Sequence, residues 1–343
     1  MIKIQNIYYM LAYAFQVLKD DCYKNITTED FEYVEDLLAA ILAKGIANQI
    51  KRGLGREYIS CEDTLNSPHG KINISSSLKE QTILKRQLVC EFDEFSGNTY
   101  VNKILKTSAL ILIRSNEVKP KQKHTLRRLM HYFHNIDTVK PRNIKWASII
   151  YHRNNSTYKM LINICCLVIE AMLPSTHEGS RRILHFKDEH MHRLFEKFVL
   201  EYYKKHYPDY KVSASQIDWN IDDGFINFLP VMKSDIMLEY NGKTLIIDTK
   251  YYSHILQTNY LYNSRTIHSA NLYQIFTYVK NKDIHHSSNV SGTLLYAKTD
   301  EEIVPDNNYF IDGNKISVKT LDLDKDFTHT RKQLDKIIEE WLE

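Results

Sequence analysis

The dipeptide Asn241-Gly242 constrains the fold more than any other short segment of this chain. It lies between two extended runs, 234–240 and 243–252, and Asn-Gly is the strongest short-range signal for a two-residue type I′ hairpin turn. Because Tyr240 then pairs with Lys243, the residue numbers of every cross-strand pair sum to 483. The turn alone therefore predicts the register of both strands.

This register places Asp235 directly opposite Asp248 and puts Lys250 on the same face of the hairpin. Directly opposed side chains have Cβ atoms about 4.5–5.5 Å apart, and like charges at that distance are destabilising. Mg²⁺ is commonly held by one or two carboxylates together with phosphate groups and water. We therefore expect a metal ion between the two carboxylates, with Lys250 supplying positive charge for an attacking water and a phosphate.

Two structural alternatives compete with the metal site. In the first alternative, the charged residues lie on a surface hairpin. In the second, Asp248 and Lys250 form an internal ion pair. Asp248 lies within a nearly continuous apolar run, 245–251, which is typical of a strand buried on both faces. A buried carboxylate needs a partner, so the pattern favours the metal site over the ion pair and argues against the surface hairpin.

The composition indicates an ordered globular protein. Length (343 residues) allows two domains, while 43% hydrophobic residues with only 10 Gly and 7 Pro exclude collagen-like and disordered classes. No signal-peptide core or 18-residue apolar span is present, so we expect a cytoplasmic protein without a membrane partner. The cysteines are odd in number and lack framework spacing, which predicts a reducing compartment and no disulfides: Cys22, Cys61, Cys90, Cys165 and Cys166.

The periodicity of apolar residues predicts a mixed α/β architecture. Helices are expected from Asn6 and from about residue 28, and near 99–115, 122–134, 155–173, 188–205, 268–281 and 328–342. Strands are expected near 56–60, 71–78, 87–95, 225–231, 234–240, 243–252 and 291–297. The segment 174–180 is rich in Pro, Gly and small polar residues, so we expect domains at 1–173 and 181–343.

Positive charge is concentrated in one part of the chain. Although the net charge is only +3, residues 101–160 carry 13 Lys or Arg against 2 Asp or Glu. Such a stretch is suited to phosphates or to an acidic protein, and a solvated helix face is an equally good interpretation. The sequence leaves these alternatives open.

The hairpin and a helix that follows it resemble a known nuclease superfamily. Asp235, Asp248 and Lys250 match the D-x(n)-(D/E)-x-K signature of the PD-(D/E)XK superfamily, and Gln274 and Tyr278 resemble the QxxxY element of its RecB-like branch. Four residues apart, Gln274 and Tyr278 share a helix face. The resemblance implies that the two acids bind Mg²⁺ and that Lys250 positions or activates water, with Gln274 and Tyr278 in supporting roles.

The same resemblance adds two further groups to the expected site. It implies that the backbone carbonyl of Thr249 is a metal ligand beside Asp235 and Asp248. It also assigns an assisting role to Glu196, which lies in the predicted helix 188–205. A solvated helix residue is the alternative interpretation of Glu196.

The first half of the chain is similar to the McrC family, the nuclease subunits of McrBC modification-dependent restriction systems. The matching segments occur in the expected order and are 6–14, 70–72, 91–96 and 102–105. The resemblance implies an α+β docking domain followed by a PD-(D/E)XK core with a mixed sheet flanked by helices. Its implied partners are a McrB-like AAA+ GTPase hexamer, which binds GTP, and double-stranded DNA carrying a modified cytosine such as 5-methylcytosine.

Other motifs are rejected. Gly242-Lys243-Thr244 resembles the end of a Walker A loop, but Met237 replaces the required glycine, so no nucleotide site is expected in this chain. His190 and His192 lack well-spaced cysteine partners and are interpreted as exposed histidines rather than zinc ligands.

Two other functions compete with the McrC interpretation. A self-sufficient RecB-like nuclease would cut unmodified DNA alone, whereas a non-catalytic adaptor of an AAA+ machine would lack a working acid pair. The intact pair Asp235 and Asp248 argues against the adaptor. The family-like first half of the chain argues against the self-sufficient nuclease.

Overall fold

The computed structural model describes residues 2–15, 31–151, 158–172, 188–222, 226–252, 256–259, 264–298 and 304–343. The chain divides into two compact units. The first, which we call the split unit, comprises Met1–Glu32 and Arg181–Glu343. The second, the inserted unit, comprises Tyr33–Ser180. Among the described helices, none is long and apolar enough to cross a membrane.

The described residues contain both helices and strands throughout. The α-helices are α1 Ile4–Phe15, α2 Val34–Arg52, α3 Ile74–Lys79, α4 Tyr100–Arg114, α5 Pro120–Met130, α6 Tyr158–Met172, α7 Asp188–His206, α8 Ser269–Lys282 and α9 Phe327–Leu342. The strands are β1 Glu57–Leu65, β2 Lys71–Ile72, β3 Leu88–Ser96, β4 Lys211–Ser213, β5 Gln216–Ile217, β6 Met232–Lys233, β7 Ile236–Tyr240, β8 Lys243–Lys250, β9 Leu256–Asn259, β10 Ser264–Ile267, β11 Val290–Ala297, β12 Asn307–Ile311 and β13 Asn314–Leu321. Short 3₁₀ turns occupy Thr82–Lys85, His131–Phe133, Pro141–Asn143 and Trp146–Ser148.

A six-stranded mixed sheet forms the centre of the split unit, in the order β12-β13-β11-β8-β7-β4. β11 runs parallel to β8 and β13, and the other neighbours pair antiparallel. Helix α7 contacts β4, β7 and β8, α8 contacts β8, β11 and β13, and α9 contacts β13. The predicted mixed sheet flanked by helices is thus confirmed, and β8 is buried from Thr244 to Lys250.

Helix α1 is tied to the far end of the chain. Asn6 Nδ2 donates hydrogen bonds to the carbonyl oxygens of Leu323 (2.7 Å) and Lys325 (2.8 Å). The rings of Tyr9 and Phe327 stack with their centroids 4.2 Å apart, and α1 also contacts α7. Buried amide hydrogen bonds and aromatic stacking therefore attach α1 to the split unit.

This attachment changes the division expected from the sequence. The sequence pattern predicts a first domain at 1–173, but residues 1–32 group with 181–343. The contacts responsible join residues more than 300 positions apart, which local pattern does not reveal. The predicted break at 174–180 lies outside the described residues.

The inserted unit combines a small sheet with a helical layer. Its strands are antiparallel in the order β1-β3-β2, and α2 contacts α4, α5 and α6. Buried Asp36 on α2 accepts a 2.9 Å hydrogen bond from the backbone N–H of Lys119 at the start of α5. The first backbone N–H groups of a helix have no acceptor within the helix, and this bond provides one.

Two strand predictions need correction, and several strands were not predicted, among them β4, β5, β9 and β10. The strand expected at 71–78 ends at Ile72, because the Asn73 side chain accepts the backbone N–H of Ser76 and caps α3. The strand expected at 225–231 is absent from described residues 226–231. The hairpin β12–β13 was not predicted, although its turn, Asp312-Gly313, has positive φ at both residues (47° and 83°), as a type I′ turn requires.

Four of the cysteines lie in described parts of the chain. Cys61, Cys90, Cys165 and Cys166 are not joined in disulfides. Burial raises the pKa of Cys165 to about 12, so this thiol is unreactive near neutral pH. Cys22 lies outside the described residues.

Candidate active site

The β7–β8 hairpin has the predicted turn and register. Asn241 and Gly242 have φ values of 48° and 77°, in the left-handed region that type I′ turns require. Tyr240 pairs with Lys243, and the ladder continues to the pair Ile236 and Ile247, so the predicted register is confirmed. The residues next in line are Asp235 and Asp248, which the twist and pleat of the strands therefore bring to the same face.

Asp235 is held in place by the neighbouring strand. Its Oδ2 atom accepts a 2.7 Å hydrogen bond from the backbone N–H of Thr249 and a 2.8 Å bond from the Thr249 hydroxyl. Two donors on one oxygen fix the orientation of the carboxylate. Asp235 is only partly buried, so its orientation comes from these bonds rather than from enclosure.

Asp248 lies in a different environment. It is 1% exposed, and its Oδ2 atom accepts no regular hydrogen bond within the described residues, although Lys250 Nζ lies 2.8 Å away. The pKa of Asp248 is raised to about 6, mainly by burial and in part by the Asp235 charge, while the Lys250 charge and hydrogen bond act in the opposite direction. The two opposed carboxylates therefore differ in solvation.

Lys250 connects the acid pair to helix α8. Its Nζ atom donates a 3.0 Å hydrogen bond to Gln274 Oε1, and Gln274 Nε2 donates a 2.9 Å bond to the Tyr278 hydroxyl. Burial lowers the pKa of Lys250, but Asp248 more than offsets this effect, and the net pKa lies above the ordinary value. The lysine is therefore a fixed positive charge beside the two carboxylates.

Helix α8 lies close to the sheet because β11 has a glycine at the contact. A Cβ atom on Gly292 would lie 2.8 Å from side-chain atoms of both Ile275 and Val279, closer than packed carbon atoms approach. Gly292 pairs with Ile246 on β8. This close approach keeps the Gln274 face of α8 within reach of Lys250.

Glu196 lies on α7, at the edge of this arrangement. Burial raises its pKa, and the charges of Asp235 and Asp248 raise it further, whereas Lys233 lowers it. These influences place Glu196 within electrostatic range of the acid pair. No group of three or more His, Cys, Asp or Glu side chains in the described residues is arranged to hold a metal ion, so Glu196 does not complete a three-residue cluster here.

Comparison with known proteins decides the family. A profile of the family described as McrBC 5-methylcytosine restriction system component matches residues 4–297. The chain belongs to this family. The resemblance to McrC noted in the sequence is therefore confirmed.

One individual relative and one solved structure are similar to this McrBC family member. The chain is 26% identical over 346 residues to the type IV methyl-directed restriction enzyme EcoKMcrBC of Escherichia coli (strain K12), covering 99% of this chain and 98% of the relative. Its fold is similar to that of a chain in a half-complex of Thermococcus gammatolerans McrB AAA+ hexamers with bound McrC. That match has a TM-score of 0.52 and 16% identity, and covers 97% of this chain and 76% of the other.

The structure of this McrBC family member corrects the interpretation of His192. The sequence suggested an exposed histidine, but His192 is partly buried and its Nδ1 atom is buried without a hydrogen-bond partner in the described residues. Burial lowers its pKa, and Asp235 and Lys250 act on it in opposite directions. The sequence does contain a signal for this position of His192. His192 lies four residues before Glu196, and residues four apart share a helix face.

A second group of polar residues that the sequence analysis did not predict surrounds Asn271 on α8. Asn271 Nδ2 donates a 3.0 Å hydrogen bond to the Tyr296 hydroxyl, and the Tyr252 hydroxyl lies 3.4 Å from Asn271 Oδ1. Tyr296 pairs with Lys250 across β11 and β8. Asn271 lies three residues before Gln274, so this network supports the same helix face that carries Gln274 and Tyr278.

Proposed function

We propose that this chain is the endonuclease subunit of a 5-methylcytosine-dependent, McrBC-type restriction complex. Its reaction would be hydrolysis of DNA phosphodiester bonds at the site formed by Asp235, Asp248 and Lys250. One observation carries the proposal: in a member of this family, two carboxylates and an amine converge at the end of one buried hairpin. Similar arrangements serve hydrolysis of phosphate esters because the reaction needs positive charge near the phosphate and an oriented water.

The acid pair fits a hard divalent cation. Asp248 offers a buried carboxylate whose Oδ2 atom forms a 2.8 Å ion pair with Lys250 Nζ, and carboxylate oxygens are the ligands that Mg²⁺ prefers. We infer that Asp235, Asp248 and the backbone carbonyl of Thr249 would hold Mg²⁺. The bound ion would supply Lewis acidity at the scissile phosphate.

The remaining residues have separable roles in this proposal. Lys250 stabilises negative charge on the phosphate and orients water through its Nζ atom. Gln274 holds that amine, and Tyr278 in turn holds Gln274. Glu196, whose pKa is raised, is suited to holding a proton close to the acid pair.

We also propose that a McrB-like AAA+ hexamer is the partner that binds GTP and selects modified DNA. The neighbouring Thermococcus structure contains McrB AAA+ hexamers with bound McrC, which supports such a partner. The docking function predicted for residues 1–173 is proposed here for residues 33–172, because α1 packs within the split unit. We place the complex in the cytoplasm, where its DNA substrate is found.

A cleavage assay tests the enzymatic part of this proposal. The full chain would be incubated with modified and unmodified duplexes, with and without the GTPase partner and GTP, in Mg²⁺ or in EDTA. We expect cleavage only when the modified duplex, partner, GTP and Mg²⁺ are all present. Cleavage of unmodified DNA by the chain alone would instead support a self-sufficient nuclease, and the absence of cleavage with every component present would support an adaptor.

A fragment experiment tests the docking part. Residues 33–172 retain all of the described inserted unit, whereas residues 1–173 carry α1 without its packing partners. We expect the shorter fragment to fold and to raise GTP turnover by the partner, and the longer one to be less soluble. A folded 33–172 fragment that leaves GTP turnover unchanged would contradict the assignment.

A further inference from the structure

The side chain of Thr249 is buried in the middle of the Asp248-Thr249-Lys250 segment. Thr249 is 0% exposed and lies on β8. Successive side chains of a strand point to opposite faces, so Thr249 does not share the face of Asp248 and Lys250. A buried hydroxyl needs a hydrogen-bond partner, and this one donates a 2.8 Å bond to Oδ2 of Asp235.

The end of the β7–β8 ladder explains why Asp235 and Thr249 meet. The register would next pair Thr249 with Ser234, but the ladder ends two residues earlier. The backbone N–H and the hydroxyl of Ser234 both donate to the carbonyl oxygen of Ser215, each at 3.0 Å. The backbone N–H of Thr249 donates instead to Asp235 Oδ2, at 2.7 Å. The Asp235 side chain therefore takes the place of a backbone acceptor at the end of β7.

Both bonds from Thr249 reach the same oxygen of Asp235. Its Oδ2 atom accepts the N–H and the hydroxyl, whereas Oδ1 accepts no hydrogen bond from any described residue. Hydrogen bonds to a carboxylate are short and strong, and two of them on one oxygen fix the plane of the group. Oδ1 is therefore left open in a defined orientation on a side chain that is only partly buried.

The two carboxylates of the pair are thus oriented by consecutive residues of β8. Lys250 Nζ lies 2.8 Å from Asp248 Oδ2, and Thr249 holds Asp235 on the neighbouring strand. Carboxylates that bind metal ions are commonly hydrogen-bonded by other groups, which set the orientation of the ligand. A hydroxyl is needed at residue 249 for this purpose, because the backbone N–H alone supplies only one of the two bonds.

We propose that the side chain of Thr249 is a positioning residue for the metal site. Its hydroxyl holds Asp235 in the orientation that presents Oδ1 to Mg²⁺, and it does so before the ion binds. The inference rests on the proposed function, which assigns Asp235 and the backbone carbonyl of Thr249 as ligands. It adds a separate role for the Thr249 side chain, which acts through Asp235.

Metal binding by the full chain without DNA tests the proposal. Mn²⁺ is a suitable probe because carboxylate and carbonyl oxygens suit it as they suit Mg²⁺, and the electron paramagnetic resonance signal of free Mn²⁺ measures how much is bound. Binding at the site is the part that Asp248→Ala removes. We expect Thr249→Val, which lacks only the hydroxyl at nearly the same shape, to weaken this binding by about tenfold or more.

Three further variants separate the hydroxyl from packing. Thr249→Ser keeps the hydroxyl and should bind Mn²⁺ like the unaltered chain, whereas Thr249→Ala should lose affinity as Thr249→Val does. Serine and alanine differ only in the hydroxyl, so this pair makes the same comparison if the valine variant does not fold. Thr320→Val removes a hydroxyl that donates a 2.9 Å bond to the Pro305 carbonyl in the same sheet, and it should leave Mn²⁺ binding unchanged.

The Mg²⁺ dependence of cleavage gives a second readout. In the presence of the GTPase partner, Thr249→Val should need a higher Mg²⁺ concentration for half-maximal cleavage, and saturating Mg²⁺ should largely restore the rate. A role in folding alone would lower the rate at every Mg²⁺ concentration. A lower maximal rate with an unchanged Mg²⁺ dependence would therefore overturn the proposal, as would equal losses of Mn²⁺ binding in Thr249→Ser or Thr320→Val.

The inference and the proposed function fail in different ways. If Asp248→Ala retains all Mn²⁺ binding, the metal site of the proposed function is wrong and the inference is overturned with it. If Asp248→Ala loses binding while Thr249→Val and Thr249→Ala keep it, only the inference is wrong. Cleavage by an unaltered chain that binds no Mn²⁺ without DNA would also overturn only the inference, because a carboxylate already held in place should bind the ion in the free chain.

Discussion

Both compact units place charged residues in β-strands, but with opposite consequences. In β8 of the split unit, Asp248 and Lys250 are buried. In β3 of the inserted unit, Asp93 and Glu94 are exposed. The difference arises because β8 is paired on both sides and contacted by α7 and α8, whereas β2 pairs with β3 only at Cys90 and Glu91 and does not reach Asp93 and Glu94.

The comparison shows how enclosure changes a carboxylate. A buried charge must find a partner or change its protonation state: the pKa of Asp248 rises to about 6, while that of Asp283 falls to about 2. Burial raises the Asp283 pKa, but donors from Asn314, Ser287 and Ser288 outweigh it. The exposed carboxylates on β3 are solvated by water and need no protein partner. Their removal should therefore have little effect on DNA cleavage.

Asp248→Ala gives the largest expected effect. It removes a proposed ligand and a buried charge, and we expect Mg²⁺-dependent cleavage with the GTPase partner to fall by about 1,000-fold, the upper range for losing one electrostatic group. Stimulation of GTP turnover should be unchanged, since the inserted unit is intact. The matched exposed variant Asp93→Ala should cleave nearly as the unaltered chain does. Cleavage by Asp248→Ala at the original rate would refute the site.

Lys250→Ala should reduce cleavage by about 100-fold. It removes the amine and also leaves Asp248 buried without its counter-charge, which raises the pKa of Asp248 further. We therefore expect the residual activity to increase with pH more steeply than in the unaltered chain. A pH–rate profile checks this, and an unchanged profile would show that Lys250 does not act on Asp248.

Asp283→Asn tests a buried carboxylate that is satisfied by donors rather than by a cation. Its pKa in the folded protein, about 2, is below the ordinary value of 3.8, so the charged form stabilises the fold at neutral pH and this stability is lost as pH falls from about 4 to 2. We expect Asp283→Asn to lower the free energy of unfolding by about 2 kcal/mol at neutral pH. Urea titrations of both proteins at neutral and acidic pH measure this difference, which should shrink on acidification; a constant difference would contradict the proposed cause.

Gln274→Ala and Tyr278→Phe should have the smallest effects on cleavage. Gln274 contacts Lys250 and not the acid pair, so its loss leaves the amine beside Asp248, and we expect a decrease of about tenfold, the lower end of the cost of a hydrogen bond to a charged group. Tyr278→Phe should lose still less, because its hydroxyl contacts only Gln274 among these residues. Cleavage rates at several pH values would distinguish a displaced Lys250 from a folding defect, and a loss as large as that of Lys250→Ala would show that Gln274 has a direct role.

Some features of this protein were predictable and others were not. The Asn241-Gly242 turn predicted the cross-strand register, and the register predicted the convergence of Asp235 and Asp248, because both depend on residues only a few positions apart. The Asp312-Gly313 turn carries the same kind of local signal. The placement of α1 and the burial of His192 depend on contacts between segments far apart in sequence, and local patterns do not encode them.

The sequence by itself determined which side chains share a strand face or a helix face, since backbone periodicity and turn geometry are local properties. Only the tertiary structure decided how those faces meet. The contact of Gln274 with Lys250, the burial of Asp248 and the attachment of α1 to the split unit all arise from packing between distant segments. Packing sets the solvation of each charge, and solvation sets whether a carboxylate remains a surface charge or becomes part of a site.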